Sequence, residues 1–378
     1  MASKSSPVPA TIVSSATALA VGDYHACAVV AGGALKCWGR NNNGQLGDTT
    51  GTDNVLGVLP TGFEANTGII AAGSTHTLAL DGPGTLSGWG ANNQGQLGDG
   101  TTTQRTSPSP VPTIPDVPVL LDGGSNHSCA ILPGGYASCW GYNSFGQVGD
   151  GTNTQRTKPV IIPSLSSGVT WIAAGGNHTC AVVNGGVQCW GSNSNGQLGE
   201  GDTTNRNVPY QVTGLTSGVV AVDAGPAHSC AVLATGAVQC WGYNNYGQLG
   251  DGTQIQRTTP VAVTGITNAI AIRTGSDSFS ANYGFSCALL TGGTVKCWGF
   301  NYSGELGNGT TSGFVTANPT PVAVLGITNA IAIRTGNKFA CALLADQTVK
   351  CWGDDSYGQL GDNSLYRLTP TYAVGFGG

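Results

Sequence analysis

Charge is scarce in this chain. Only 9% of the 378 residues are Asp, Glu, Lys or Arg, and the balance is a net charge of −5. A surface that tracks nucleic-acid phosphates needs clustered cations. Here the 14 Lys and Arg are scattered, and five of them (Arg105, Arg156, Arg206, Arg257 and Arg367) recur at a single repeat position. No nucleic-acid partner is expected. No apolar run is long enough to cross a bilayer as a helix, so no membrane insertion is expected either. Met1-Ala-Ser-Lys-Ser is not followed by the apolar segment of roughly 7–15 residues that a secretory signal needs. Helical periodicity is missing throughout, and so are a Gly-x-Ser-x-Gly elbow, a phosphate loop and a His-Glu-x-x-His pair. The expectation is therefore no catalytic residue, no resident metal and no cofactor.

What the chain does have is glycine, tryptophan and cysteine, at 61, 8 and 12 residues. They meet in the stretch from Gly176 to Gly191, in which two β-forming runs flank Asn184-Gly185. That dipeptide is the strongest short-range signal for a two-residue hairpin turn. Counting outward pairs Val183 with Gly186, Val182 with Val187, Ala181 with Gln188, and Cys180 with Cys189. Alternation places the cysteine rung at a non-hydrogen-bonded position, where Cα atoms sit ~4.5 Å apart, within disulfide range.

The stretch recurs. Trp38, Trp89, Trp140, Trp190, Trp241, Trp298 and Trp352 each precede a glycine, at spacings of 51, 51, 50, 51, 57 and 54 residues. Periods of this size mean stacked supersecondary units. Each copy reads as four short strands; in the sixth these are 260–263, 269–272, 286–290 and 294–298. Four strands per repeat and Gly-rich turns give an all-β, seven-bladed β-propeller with four-stranded antiparallel blades. One domain spans 1–378, with repeats at about 7–52, 53–104, 105–155, 156–205, 206–256, 257–317 and 318–366. The segment 367–378 supplies one further opening strand, expected to close the ring beside the N-terminal segment, with strand exchange between molecules as the alternative. A monomer is otherwise expected.

Five other cysteine pairs are expected on the same logic: Cys27 with Cys37, Cys129 with Cys139, Cys230 with Cys240, Cys287 with Cys297, and Cys341 with Cys351. Each of these hairpin loops is one residue longer than Asn184-Gly185, and each cysteine separation is one longer too. Cross-strand pairing tracks loop length in this way; metal ligation has no reason to. The second copy has Leu78 and Gly88 in these places and no bridge. An even cysteine count at fixed cross-strand spacing argues for an oxidising compartment, hence a secreted or cell-surface protein whose targeting segment is absent from this sequence. Each bridge closes a loop of about ten residues and contributes at most ~2–3 kcal/mol.

The frame Gly-x-x-His-x-Cys-Ala-Val, then Cys-Trp-Gly-x-Asn-x-x-Gly-Gln-Leu-Gly-Asp-Gly-Thr, resembles the regulator-of-chromosome-condensation repeat family, and within it a bacterial-type secreted member. The resemblance covers roughly Pro7 to Val374 and implies a seven-bladed propeller. It does not by itself imply a function, because the fold hosts unrelated tasks. Nucleotide exchange on a small GTPase, as in the family's namesake, needs an intracellular partner, which the cysteines oppose. Light sensing is disfavoured because the Gly-Trp-Arg-His-Thr motif of the plant ultraviolet-B photoreceptor is absent. A secreted enzyme inhibitor is the nearest analogy, through the propeller-type β-lactamase inhibitor protein.

Most polar residues follow the repeat and read as scaffold. His25, His76, His127, His178 and His228 share one position, which Phe285 and Phe339 take in the last two copies; a packed planar ring explains both residue types. The recurring arginines are suited to tie down the loop that carries the Gly-Asp-Gly aspartate. Variation is concentrated after each Trp-Gly, where Tyr142, Phe145, Tyr243, Tyr246, Phe300, Tyr302 and Tyr357 are candidate partner-binding rings. Phe279 and Tyr283 join them from an insertion in the sixth copy, and a second insertion spans 311–318. Equivalent loops leave a propeller on one face, so these rings are expected to form an arc around the axis, binding a protein or a carbohydrate. Packing of each ring on its neighbouring blade is the alternative.

Overall fold

The computed structural model describes residues 15–63, 66–276, 283–314, 316–362 and 366–372. They form seven four-stranded antiparallel sheets, the blades of an all-β propeller. Blade 4 shows how the sequence builds one. Its strands, from the axis outward, are Val169–Ala174, His178–Val183, Gly186–Gly191 and Arg206–Gln211. Asn184 and Gly185 have φ of 51° and 80°, the two positive values that the tightest hairpin turn requires. The turn then sets the register, pairing Val183 with Gly186 and Cys180 with Cys189. Those two Cα atoms lie 4.1 Å apart and the cysteines are bonded. The five other expected pairs are bonded too. In blade 2 Leu78 faces Gly88. A Cβ on Gly88 would lie 3.0 Å from Leu78 Cδ2. One large side chain beside one absent side chain thus fills the space that a disulfide fills elsewhere.

The strand that opens each sequence repeat belongs to the blade before it. Arg257–Ala262 pairs with Val238–Gly242, the third strand of blade 5. Blade 6 is instead Ala269–Ser276, Gly284–Leu290, Val295–Gly299 and Val322–Ala323. The same phase shift decides the C terminus. Tyr366–Tyr372, the strand expected to lie beside the N-terminal segment, pairs on one edge with Val349–Asp354 and completes blade 7. The reason is local: a strand that follows its own hairpin through one loop reaches that hairpin's free edge first. Pro7–Ile12, the other segment of this kind, lies outside the described residues. Among the described residues, blades 7 and 1 pack against each other to close the ring. The Ser15 and Ala16 amides donate to Gln347 O, Trp38 Nε1 donates to Gln359 O, and Leu19, Trp38, Phe339 and Leu360 share one buried cluster.

The Trp-Gly pairs stitch neighbouring blades. The tryptophans of all seven pairs are fully buried. Trp190 Nε1 donates to Gln147 O in the preceding blade at 2.9 Å, and Trp241 reaches Gln197 O in the same way. The glycine that follows has to be glycine. Gly191 has φ of 105°, and a Cβ there would stand 2.6 Å from Asn177 O. It also sits at the register shift where the outer strand leaves regular pairing.

Candidate functional site

The antiparallel order sends two sets of connections to one end of the ring. These are the short link between the first and second strands of each blade and the long loop after Trp-Gly. This end is the loop face, and both insertions fall in connections of these kinds in blade 6: one between Ala269–Ser276 and Gly284–Leu290, whose residues 277–282 lie outside the described residues, and one at 311–318 in the loop after Trp298-Gly299. The hairpin turns lie at the opposite end.

The candidate rings fall into separate groups of contacts. Tyr246 of blade 5 meets Tyr283 and Phe300 of blade 6 at centroid distances of 4.7 and 5.4 Å. Phe314, from the second insertion, lies 4.1 Å from Tyr302 and 6.0 Å from Tyr283. These five rings make one patch over the junction of blades 5 and 6. Phe300 is its floor, 1% exposed, while Tyr302 and Phe314 are 46% and 41% exposed. Tyr243 is half-buried nearby in sequence, its hydroxyl accepting from Asn245 Nδ2 at 2.8 Å. Tyr142 and Phe145 pair with each other on blade 3. Tyr357 of blade 7 makes an edge contact with Tyr24 of blade 1, and the Arg40 guanidinium lies 4.5 Å from the Tyr357 centroid. That group ties the closing junction together. Phe279 lies outside the described residues. Phe314 and Tyr24 were not among the candidate rings; the insertion at 311–318 was the only sequence signal for Phe314.

The histidines belong to a buried relay between blades. His178 Nε2 is 2.8 Å from Ser229 Oγ in the next blade, and that hydroxyl donates to Gln197 O at 2.9 Å. Since the hydroxyl proton is committed to the carbonyl, Nε2 is the protonated nitrogen and donates to Oγ. His25, His76, His127 and His228 repeat the contact with Thr77, Ser128, Thr179 and Ser286. Where phenylalanine replaces histidine, the hydroxyl is gone as well. Phe285 stands next to the blade carrying Ala340, and Phe339 next to the blade carrying Ala26. Burial holds His178 down to about 3 and His76 to about 4, so the imidazoles are neutral. Among the described residues no group of histidine, cysteine and carboxylate is arranged to hold a metal ion.

The recurring arginines pair with the loop aspartates, Arg105 with Asp99 at 2.7 Å and Arg257 with Asp251 at 3.0 Å. Burial opposes the charge on Asp99, and the bonds from Thr101 and Arg105 outweigh it, leaving the carboxyl below its usual range. The loop asparagine holds the same turn together: Asn92 Nδ2 donates to Asp99 Oδ1, and its Oδ1 accepts from the Leu97 amide; Asp355 takes this place in blade 7.

One position breaks the repeat. The innermost-strand residue paired with the first cysteine of each hairpin, or with its Leu78 equivalent, is Ala20, Ala71, Asp122, Ala173, Asp223, Arg273 or Arg334. Four charges thus line the axial channel, around a cavity of about 150 Å³. Toward the loop face the channel narrows at a ring of glycines. A Cβ on Gly175 would lie 2.6 Å from Gly225 O and 2.9 Å from His178 Cε1. Burial, and then the like charge of Asp223, pushes Asp122 up to about 7. Sequence reading missed this site because no single copy looks unusual; the signal is a substitution across copies.

Comparison with known proteins gives the following matches. Models of the Regulator of chromosome condensation (RCC1) repeat match residues 83–131, 138–182, 184–232, 235–281 and 292–343, and a second such model matches seven segments from 16–45 to 330–359. The ultraviolet-B receptor UVR8 of Arabidopsis thaliana is 29% identical over 77% of this chain and 54% of its own length. The E3 ubiquitin-protein ligase HERC2 of Homo sapiens is 30% identical over 89% of this chain and 7% of its own length. The chain therefore spans about half of the first relative and a small part of the second. Yeast RCC1 (Prp20), solved bound to Kap60, superposes with a TM-score of 0.77 at 21% identity, covering 98% of this chain and 89% of that one. Human WBSCR16 gives 0.74 at 20% identity, over 86% and 85%. At such identities the likeness concerns the fold.

Proposed function

Because the chain belongs to the regulator of chromosome condensation repeat family, we propose that it is a non-catalytic binding module of an oxidising compartment, secreted or at the cell surface, that engages a protein through its loop face. The carrying observation is the patch of Tyr246, Tyr283, Phe300, Tyr302 and Phe314. Two insertions converge there, on a scaffold whose other loops keep to the repeat, and leave two large rings exposed over a buried aromatic floor. Rings anchored in this way are the side chains most enriched at binding hot spots. Protein partners fit what is described for a relative: yeast Prp20p has binding properties toward Gsp1p and histones. The six disulfides support the compartment, since such bonds persist where thiols are not kept reduced.

The test is affinity capture from the producing organism's culture medium, with the wild type compared with two variants. Tyr302→Ala combined with Phe314→Ala should lower capture at least ~10-fold, the effect of losing about 1.4 kcal/mol. Tyr210→Ala, on the outer strand of blade 4, should not. Equal capture by all three excludes the patch, and a captured species that is glycan rather than protein overturns the partner class. Alkylation of the native protein should find no reactive thiol; reactive cysteines would remove the argument for secretion.

A further inference from the structure

The four channel charges are unequally provided for. Asp223 accepts from the Thr274 amide and hydroxyl at 2.6 and 2.7 Å and faces Arg273 at 3.8 Å. Arg273 is itself held, donating to Ile272 O at 2.7 Å with its guanidinium 5.5 Å from the Trp171 ring centroid. These two are 16% and 12% exposed and make up one pair. Asp122 accepts a single bond, from the Ala174 amide at 2.7 Å. Arg334 donates to Ile333 O at 2.9 Å. Among the described residues neither Asp122 nor Arg334 has an opposite charge within ion-pair distance, yet both line the same cavity.

We propose that the axial channel is a binding site for a compact zwitterion of α-amino-acid size, its ammonium group on Asp122 and its carboxylate on Arg334. Opposite charges withdrawn from water and left apart are each poorly compensated. A ligand that carries both signs satisfies both together through charge-assisted hydrogen bonds. An anion alone would meet Arg334 but leave Asp122 uncompensated, and a cation alone would do the reverse. With both aspartates ionised, which for Asp122 means a pH above about 7, two aspartates and two arginines sum to zero, and the wall then selects a ligand that is itself neutral overall. Size sets the second limit: a cavity of about 150 Å³ is of the volume that admits benzene, about six non-hydrogen atoms. Glycine, alanine and β-alanine fit that limit; a peptide or a nucleotide does not.

Isothermal titration calorimetry of the full chain at pH ~8, above the Asp122 midpoint of about 7 and below the amino-acid ammonium pKa, tests this, using glycine, L-alanine and β-alanine as probes beside acetate and methylammonium. At least one zwitterion should bind with a Kd of about 1 mM or tighter, and each half-ligand at least ~10-fold more weakly. Asp122→Asn and Arg334→Gln should each weaken the zwitterion ~10–100-fold. Amide NMR on the wild type supplies a reading that does not depend on the variants folding: the zwitterion should shift the Ala174 amide and the Trp171 indole. No binding of any zwitterion up to ~10 mM, acetate binding as tightly as glycine, or shifts confined to the surface would each overturn the site.

Discussion

Replacing His178 by phenylalanine tests the inter-blade relay, because the molecule already holds both solutions to the same packing problem. His178 donates to Ser229 Oγ at 2.8 Å, and Ser229 donates to Gln197 O at 2.9 Å, all three buried. In His178→Phe the serine keeps its acceptor but loses its donor, and the buried oxygen has one unmet site. The expected loss is ~1–3 kcal/mol. In Ser229→Ala the imidazole N–H is stranded instead, while Gln197 O keeps its bond from Trp241 Nε1 at 2.8 Å; a similar ~1–3 kcal/mol follows. The double variant reproduces the arrangement in which Phe285 stands opposite Ala340, or Phe339 opposite Ala26, with no polar group left unpaired. It should cost less than the sum of the singles by ~1–2 kcal/mol, the coupling expected of contacting residues. Urea unfolding of the four proteins at neutral pH, with disulfides intact and two optical probes to check cooperativity, measures the cycle. Additivity within about 0.5 kcal/mol would show that the hydroxyl does not track the imidazole.

Three further outcomes follow from the same geometry. The five relay histidines titrate near 3 to 4 when folded against about 6.5 when unfolded, so the unfolded chain takes up protons first. Stability is complete above pH ~6.5 and falls as pH drops toward ~4. Five protons, less those that Asp122, held near 7, and the raised Asp223 and Glu200 carboxyls retain in the fold, give a slope of at most roughly 5 kcal/mol per pH unit in that window; a denaturation midpoint that stays flat from pH 7 to pH 5 would contradict it. Cys180→Leu combined with Cys189→Gly transplants the Leu78–Gly88 solution of blade 2 into blade 4, and should cost no more than the ~2–3 kcal/mol of a short-loop bridge, read as a shift in urea midpoint. A much larger loss would mean that leucine does not fill the disulfide's space. Gly175→Ala should be worse than any of these, since its Cβ would meet Gly225 O at 2.6 Å. The ring at the axis has no slack there, and a loss above ~3 kcal/mol, or failure to fold, is expected. Normal thermal stability of the alanine variant would show that the blades can part.

How much of this was legible in the sequence depended on distance along the chain. The hairpin register was legible because Asn184-Gly185 fixes it within a few residues, and the cysteine pairs came with it. The phase of the blade was not. A repeat can be cut anywhere, and only the hydrogen bonds of Arg257–Ala262 to Val238–Gly242 show where one sheet ends. The aromatic patch was half legible, since its insertions announce themselves but their shared destination follows only from the loop face. The histidine position read as a place for a planar ring. Its partner, two residues before each alanine of the Cys-Ala frame in the following copy, is a hydroxyl or an alanine in step with it, and the step crosses about fifty residues.

The channel charges show why symmetry is both the guide and the blind spot in such a chain. Seven equivalent positions converge on one axis, so a residue that is unremarkable in its own strand acquires six neighbours of the same kind from elsewhere in the sequence. Alanine at that position leaves the axis inert. Aspartate in blades 3 and 5, with arginine in blades 6 and 7, places two charges of each sign around a cavity too small for a macromolecule. A structural need alone would be met by alanine, as it is in blades 1, 2 and 4. Holding four ionisable groups in a narrow channel, each only partly exposed, is an expense that hydrophobic replacements avoid. Scaffold positions in this protein repeat because packing is the same in every blade; this position departs from the repeat in both directions of charge, and only one of the two aspartates meets its counter-ion. If the four charges merely brace the axis, Asp122→Ala with Arg334→Ala should lower stability and abolish no binding. If it is a site, the same double variant gains stability and loses the calorimetric response to a zwitterion, and that separation of the two effects is what distinguishes a brace from a receptor.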